Sequence, residues 1–166
     1  MKNWLFSLML LAAPLSGWAQ DEQAADSTTA APTHVMFEGV EMKGDIYDFT
    51  KALEHAGFSL TKRKGDSNYY IFKGNVCGNN CYFKVAYSKT TRTVYSITAE
   101  PKRVETTAFV DSLCQRYGEP FDTDNSKYQW QLPTGGVLLK VTDGADPILV
   151  VMDAEGVIAF KEENHR

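Results

Sequence analysis

The alternation of hydrophobic and polar positions predicts an amphipathic helix near the start of the folded part. In residues 45–58, Ile46, Phe49 and Leu53 recur at the spacing of one helical face. Asp45 precedes this face and is placed to cap the helix, and Gly57 follows it as a left-handed stop. The pattern predicts a helix with one face on a core and the other in water.

A second helix with the same character is predicted at residues 105–117, where Phe109 and Leu113 are again four residues apart. Short strand-like segments with a period of two follow each helix, separated by turn-forming residues. The predicted strands are residues 59–64, 68–73, 81–88 and 93–100 after the first helix, and 127–132, 137–142, 148–153 and 157–161 after the second.

This order predicts an α+β fold made of two tandem units, residues 34–101 and 102–166, that share one domain. Each unit is a helix followed by four antiparallel strands. The units can join edge to edge into one continuous sheet, with both helices packed on one face and a polar face left open.

The N-terminal residues predict export. Residues 1–19 combine Lys2, an apolar run too short to span a bilayer and a small-residue end, which is typical of a secretory signal peptide. Residues 20–33 contain three acids, no base and no large apolar residue, so we expect a disordered linker there. The predicted location is periplasmic or secreted, without membrane insertion after cleavage.

Charge excludes some partners. The chain has 17 basic and 21 acidic residues and a formal net charge of -4. Nucleic acids and anionic membranes call for clustered Lys and Arg. The basic run at residues 62–64 lies beside a Gly-Asp turn and is interpreted as a solvated strand end. We therefore expect no nucleic-acid partner.

The three cysteines are the most specific chemical feature. In an exported chain, paired cysteines usually form disulfides. Cys77 and Cys81 enclose Gly and Asn residues that tolerate a tight turn, and this pair is the predicted disulfide, with Cys114 a buried thiol. The alternative joins Cys81 to Cys114. A redox or metal role is disfavoured, because the spacing is not that of a redox motif and no His lies nearby.

No catalytic constellation is recognisable. His34, His55 and His165 lie far apart in the sequence, and no nucleophile elbow or phosphate-binding loop is present. His55 is interpreted as a favourable charge near a helix C-terminus. We expect no enzyme activity, no cofactor and no metal.

The outward positions of the predicted strands supply the candidate binding site. Tyrosine among mixed polar side chains offers a large contact area at a modest entropic cost, which is typical of recognition surfaces. The candidate partner-binding residues are Tyr82, Lys84, Ser96, Gln129, Gln131 and Lys140.

The tandem helix-plus-four-strand order, the leader and the polar sheet face resemble the bacterial beta-lactamase-inhibitor-protein fold, and also small exported proteins of Bacteroidota. In the inhibitor family the open sheet face grips a partner protein, which implies a similar surface here. No residue of the inhibitors' reactive loops is placed in this sequence. We expect a non-enzymatic protein that binds an envelope or secreted protein in an inhibitor, immunity or accessory role. The alternative is a small-ligand binder with a cleft between helices and sheet.

Overall fold

The computed structural model describes residues 33–124, 126–141 and 146–165. The predicted signal peptide, residues 1–19, and all but the last residue of the predicted linker, residues 20–33, lie outside this part. All the described residues belong to one compact unit. None of the helices in the described part is both long and apolar enough to cross a membrane.

Helices and strands are mixed, which confirms the predicted α+β class. Within the described residues the helices are α1 (Ile46–His55), α2 (Thr106–Tyr117) and α3 (Ala154–Asn164). The strands are β1 (Met36–Phe37), β2 (Val40–Glu41), β3 (Ser59–Lys64), β4 (Tyr69–Val76), β5 (Asn79–Tyr87), β6 (Val94–Ala99), β7 (Asp122–Asp124), β8 (Lys127–Leu132), β9 (Gly135–Lys140) and β10 (Ile148–Asp153).

Eight of the strands form a single antiparallel sheet in the order β3-β4-β5-β6-β10-β9-β8-β7. Hairpins connect β3 through β6, and hairpins connect β7 through β10. The central pair is β6 with β10, in which Ile97 lies opposite Val151. A separate two-stranded sheet is formed by β1 and β2.

The C-terminal segment differs from the prediction. The strand predicted at residues 157–161 is wrong, because these residues lie within α3 and the turn predicted at residues 154–156 is its first turn. The physical reason is Asp153, whose carboxylate accepts a hydrogen bond from the amide of Gly156 at 3.1 Å and caps the helix. Residues 122–124, which were not predicted as a strand, form β7 at one sheet edge.

The first residues of α1 and α2 show how a side-chain cap determines where each predicted helix begins. The Asp45 carboxylate accepts a hydrogen bond from the amide of Tyr47 at 2.6 Å, as the capping prediction requires. Glu105, predicted as the first helical residue, is instead the cap of α2 and binds the amide of Ala108 at 2.6 Å. Both helices therefore begin where a side-chain oxygen satisfies an otherwise unpaired amide.

The core is one cluster in which apolar residues of α1 and α2 join the buried side of the sheet. Phe72 of β4 and Phe83 of β5 stack with ring centroids 5.5 Å apart, and Phe58 meets Phe83 edge-on at 5.3 Å. A Cβ on Gly74 would collide with the Phe58 ring, so this glycine lets the chain after α1 pack closely on β4. The core therefore lies on one side of the sheet.

Candidate functional site

Strict alternation in β4 and β5 creates an outer face on the eight-stranded sheet. Phe83 and Val85 are buried, whereas Tyr82 and Lys84, which alternate with them along β5, point to the opposite side and are exposed. We call the side that carries Tyr82 and Lys84 the outer face.

The strand register places all six predicted binding residues on this face. Lys84 lies opposite Thr98, Thr98 opposite Val150, Val150 opposite Leu138, and Leu138 opposite Gln129. A neighbouring row runs from Ser96 through Met152 and Gly136 to Gln131. Directly opposed residues share a face, so the outer face is continuous across these strands. Lys140 lies opposite Ile148 on the same side.

The six residues do not form one site. Tyr82 and Lys84 lie together in a groove on β4, β5 and β6, whereas Gln129 and Gln131 line a second groove on β8, β9 and β10. Ser96 is half-buried and lies between them, and Lys140 is exposed. That these residues bind a partner stays a prediction.

The first groove, which we call the lysine groove, encloses about 560 Å³. The Lys73 ammonium lies 5.8 Å from the centroid of the Tyr82 ring, and the Lys84 ammonium lies 5.3 Å from that of Tyr69. Such contacts favour the cation while leaving its N–H donors available to solvent or a ligand. The lining of the lysine groove includes Lys73, Tyr82, Lys84, Thr98, Glu100 and Lys102.

One lysine of the groove is paired. The Lys102 ammonium lies 3.2 Å from a carboxylate oxygen of Asp146 and 3.6 Å from one of Glu100. The hydrogen bond to Asp146 raises the pKa of Lys102. Hydrogen bonds from the Arg103 amide and then from Lys102 lower the pKa of Asp146. This end of the groove is therefore of mixed charge.

Positive charge continues from the groove to the edge strand β3. Lys62 lies opposite Ile71, and Lys64 lies opposite Tyr69, so both lysines belong to the outer face. The adjacent Lys64 lowers the pKa of Lys62, as expected where two ammonium groups crowd together. The basic run interpreted from sequence as a solvated strand end thus adjoins the candidate site.

The second groove, the Phe121 groove, is smaller and more apolar, with a volume of about 230 Å³. Phe121 is 72 % exposed, which is unusual for a large apolar side chain. The amide of Phe121 donates to the carbonyl of Gln129 at 2.7 Å, so the backbone at Phe121 is held against β8. The lining includes Phe121, Gln129, Gln131, Gly136, Leu138 and Met152.

Cys77 and Cys81 were predicted to form a disulfide and Cys114 to be a buried thiol, but Cys114 is half-buried. The structure shows Cys77, Cys81 and Cys114 as free thiols, and the Cys77–Cys81 bond stays a prediction. Cys77 and Gly78 form a two-residue hairpin turn between β4 and β5, with φ of 48° and 81°. Burial raises the pKa of the Cys77 thiol to about 12 and that of Cys81 to about 11.

A polar cluster that the sequence did not predict surrounds this turn. One carboxylate oxygen of Glu38 accepts from the Cys77 amide at 3.0 Å and lies 2.5 Å from the Arg116 guanidinium. The Tyr117 hydroxyl donates to the carbonyl of Met36 at 2.9 Å. Glu38 and Arg116 are far apart in sequence, so no local spacing signals the pair. The cluster ties the β1–β2 hairpin to α2 and to the β4–β5 turn.

The histidines are not brought together for catalysis or metal binding. His34 lies 3.2 Å from the buried carboxylate of Asp153, and His55 is in the last turn of α1, where it was predicted. Among the described residues, no group of three or more His, Cys, Asp or Glu could hold a metal ion.

No protein-family model matches this chain, and neither a curated protein nor a solved structure matches it.

Proposed function

We propose that this chain is a non-enzymatic binding protein that recognises a protein partner through its outer sheet face. The observation that carries this proposal is the lysine groove, where exposed Tyr82 lies with Lys73 and Lys84 on adjacent strands, and neither lysine has a carboxylate partner in the described part of the chain. The backbone of a paired strand is already ordered, so binding through it costs little backbone entropy, which favours recognition.

The composition of the face supports a protein partner. Tyr82, 59 % exposed, offers a broad ring beside charged groups, and Phe121 offers an apolar anchor on the same face. The surface between these regions is formed by residues with short, half-buried side chains, Ser96, Thr98 and Val150. An open surface of this kind suits a macromolecule better than an enclosed substrate.

The fold supports the inferred plan of two tandem units. α1 is followed by β3 to β6, α2 is followed by β7 to β10, and the units meet at the β6–β10 pair. We infer that α1 and α2 pack on the side opposite to the outer face, as in the beta-lactamase-inhibitor-protein fold that the sequence resembles. In that family the open face grips its partner, so the resemblance and the groove point to the same surface.

We further propose that the protein acts outside the cytoplasm, in the periplasm or secreted. The features that favour this location are the signal-peptide pattern of residues 1–19 and the cysteine pair Cys77 and Cys81. The partner is then an envelope or secreted protein, and the role is that of an inhibitor, an immunity protein or an accessory subunit.

A second candidate function is binding of a small ligand. The lysine groove, at about 560 Å³, has the volume of a small-molecule site. It differs from the cleft between helices and sheet that was expected for such a ligand, because it lies on the outer face. Thermal-shift screening with small organic anions tests this candidate, since true ligands lose their stabilising effect in the Lys84→Ala variant.

Site-specific photo-crosslinking tests the main proposal. Benzoylphenylalanine replaces Tyr82 or Gln131 on the outer face, and Glu54 of α1 or Glu162 of α3 as exposed controls. We expect one protein to crosslink from the first two positions and not from the controls. The partner, once purified, is titrated against wild type and a variant with Tyr82, Lys84 and Gln131 changed to Ala. An affinity loss of about tenfold or more is expected if these residues anchor the interface.

Equal crosslinking from the control positions would contradict the proposal. So would an unchanged affinity of the triple variant for the purified partner, because the outer face would then contribute nothing to binding.

A further inference from the structure

The two grooves differ in the chemistry that they offer. The lysine groove presents ammonium groups, whereas the Phe121 groove presents apolar surface beside two amide side chains, Gln129 and Gln131. A partner that fills both must carry a different kind of side chain for each. The outer face therefore favours a partner segment that presents a different kind of side chain to each groove.

Apart from Lys102, the lysines in and beside the lysine groove have no carboxylate partner among the described residues. Lys62, Lys64, Lys73 and Lys84 share the outer face, and none of them pairs with a carboxylate among the described residues. Four positive charges on neighbouring strands repel one another in a chain whose net charge is negative. A ligand that carries carboxylates relieves this repulsion and gains charge-assisted hydrogen bonds.

The Phe121 groove favours a large apolar side chain. Exposed Phe121 and Met152 form its rim, and Gly136 leaves its floor without a side chain. Burying apolar area here is favourable, and the two glutamine amides can satisfy the backbone of an incoming segment.

The sheet fixes the distance between the two grooves. The lysine groove is centred on β5 and the Phe121 groove on β9, and the sheet order separates these strands by three spacings, about 14 Å. The rows that line the grooves are offset along the strands by about two residues, or about 7 Å. An extended segment of about five residues bridges the resulting gap.

We propose that the partner presents an extended segment in which a block of acidic residues occupies the lysine groove and a large apolar side chain, about five residues away, enters the Phe121 groove. This inference rests on the proposed function and names the chemistry of the partner. Charge complementarity with the lysines supports the acidic block, and the exposed apolar area of the Phe121 groove supports the large apolar side chain.

The acidic side chains on the same face favour a protein over a nucleic acid. Glu100 and Asp146 lie beside Lys102. Asp122 lies beside Lys127, near the β7 edge of the sheet. A continuous phosphate backbone crossing the face would meet these carboxylates and be repelled. A peptide carries charge on some residues only, so it can place neutral ones there.

The experiment uses short fluorescein-labelled peptides and the purified protein, with binding followed by fluorescence anisotropy. The main probe has a block of four acidic residues, a Gly-Ser spacer and a phenylalanine about five residues from the block, made in both chain directions. Matched probes replace the phenylalanine by serine or the acids by lysines. An oligothymidylate of similar length represents nucleic acid.

We expect one direction of the main probe to bind, and the lysine probe not to bind. Lys73→Glu with Lys84→Glu should weaken binding by about tenfold or more. The matched reversals Lys51→Glu with Lys161→Glu, on exposed positions of α1 and α3, should change it less than about twofold. Replacing the phenylalanine by serine should cost about fivefold or more in wild type and little in Phe121→Ser, because the lost contact is the same.

Three results overturn the inference: tighter binding of the oligothymidylate, equal binding of the acidic and lysine probes, or equal loss with both pairs of charge reversals. Circular dichroism of each variant confirms that the fold is retained. If crosslinking finds a partner on the outer face while every peptide fails, the acidic-segment inference falls and the proposed function stands.

Discussion

At the scale of single residues, burial controls the chemistry of Cys77 and Cys81. It raises their pKa to about 12 and about 11, and the thiolate is the reactive form. We predict that in the reduced, native protein both thiols react with iodoacetamide at pH 8 about a hundredfold slower than in urea. Peptide mass spectrometry over time measures each site. Labelling of native Cys77 at its unfolded rate would contradict this.

The same method tests the predicted disulfide. Protein isolated without reductant from an oxidising compartment is unfolded and alkylated. If Cys77 and Cys81 are joined, only Cys114 takes up a label, and reduction beforehand restores labelling at all three positions. Labelling of all three without reduction would show that the pair remains reduced.

Residue patterns could predict the outer face but not its grooves. Alternation along β5 places Tyr82 and Lys84 outward, and the structure agrees. Lys73 and Lys102 were not predicted, because their approach to Tyr82 and Glu100 depends on which residues of neighbouring strands lie opposite each other. That register is set by the turns and by packing across the whole sheet, which one strand's pattern does not contain.

At the scale of elements, α3 depends on the buried carboxylate of Asp153. This side chain caps α3 and also accepts from the amide of Val35 at 3.0 Å, so it fastens the start of the folded chain to its last helix. We predict that Asp153→Ala lowers the free energy of unfolding by about 2–4 kcal/mol, because it removes the cap and leaves a buried amide unpaired. Hydrogen exchange should accelerate in α3 and at residues 34–35.

The matched control is Asp48→Ala on the exposed face of α1, where Lys51, at 3.2 Å, is the one side-chain partner of the carboxylate among the described residues. A change below about 0.5 kcal/mol is expected there. Unchanged exchange in α3 of Asp153→Ala would show that packing alone holds the helix.

The error at α3 has a physical explanation. Val157 and Ile158 favour strands and follow a turn-like Ala-Glu-Gly, which predicts a hairpin. Asp153 is also a favoured N-cap residue, Glu155 places an acid in the first turn, and the residues after Ile158 are mostly good helix formers. In the structure the Asp153 carboxylate accepts from the Gly156 amide, and this cap favours the helix.

The cap of α2 should make the stability of the folded protein depend on pH. Hydrogen bonds from the Ala108 amide and then from Thr107 lower the pKa of Glu105 below its usual 4.5. A lowered folded-state pKa means that the stabilisation is present above the unfolded-state pKa and is lost as pH falls through the folded-state pKa. We predict that Glu105→Gln lowers the melting temperature at pH 7 and that the difference from wild type shrinks below about pH 4.

Melting curves across this range, with Glu119→Gln at the other end of α2 as the control, measure the effect. A difference between wild type and Glu105→Gln that is constant with pH would show that the ionised carboxylate is not the stabilising species.

At the scale of the whole molecule, both edge strands of the sheet have features that oppose pairing with further strands. Edge strand β3 carries Lys62, Arg63 and Lys64 and has a bulge near Thr61, whereas β7 at the other edge has only three residues. Charged, irregular or short edges oppose pairing with further chains. The lysines of β3 thus discourage edge-to-edge aggregation while adding positive charge to the lysine groove.

The β6–β10 pair determines whether the molecule unfolds in one step. Both strands lie in the middle of the sheet, and the core cluster contains Phe83 from one half and Leu139 from the other. Neither half can expose this shared surface without a large loss of burial. We predict a single cooperative urea transition in which both halves unfold together.

Two probes follow the halves separately. Trp130 of β8, 3 % exposed, reports on the second half by fluorescence, and pulsed alkylation of reduced Cys81 in β5 reports on the first. Coincident midpoints are expected. A variant with Ile97→Ala, which creates a cavity at the β6–β10 pair, should shift both midpoints equally and cost about 2–5 kcal/mol. Separate midpoints in wild type would mean that the predicted tandem units are independent domains in one sheet.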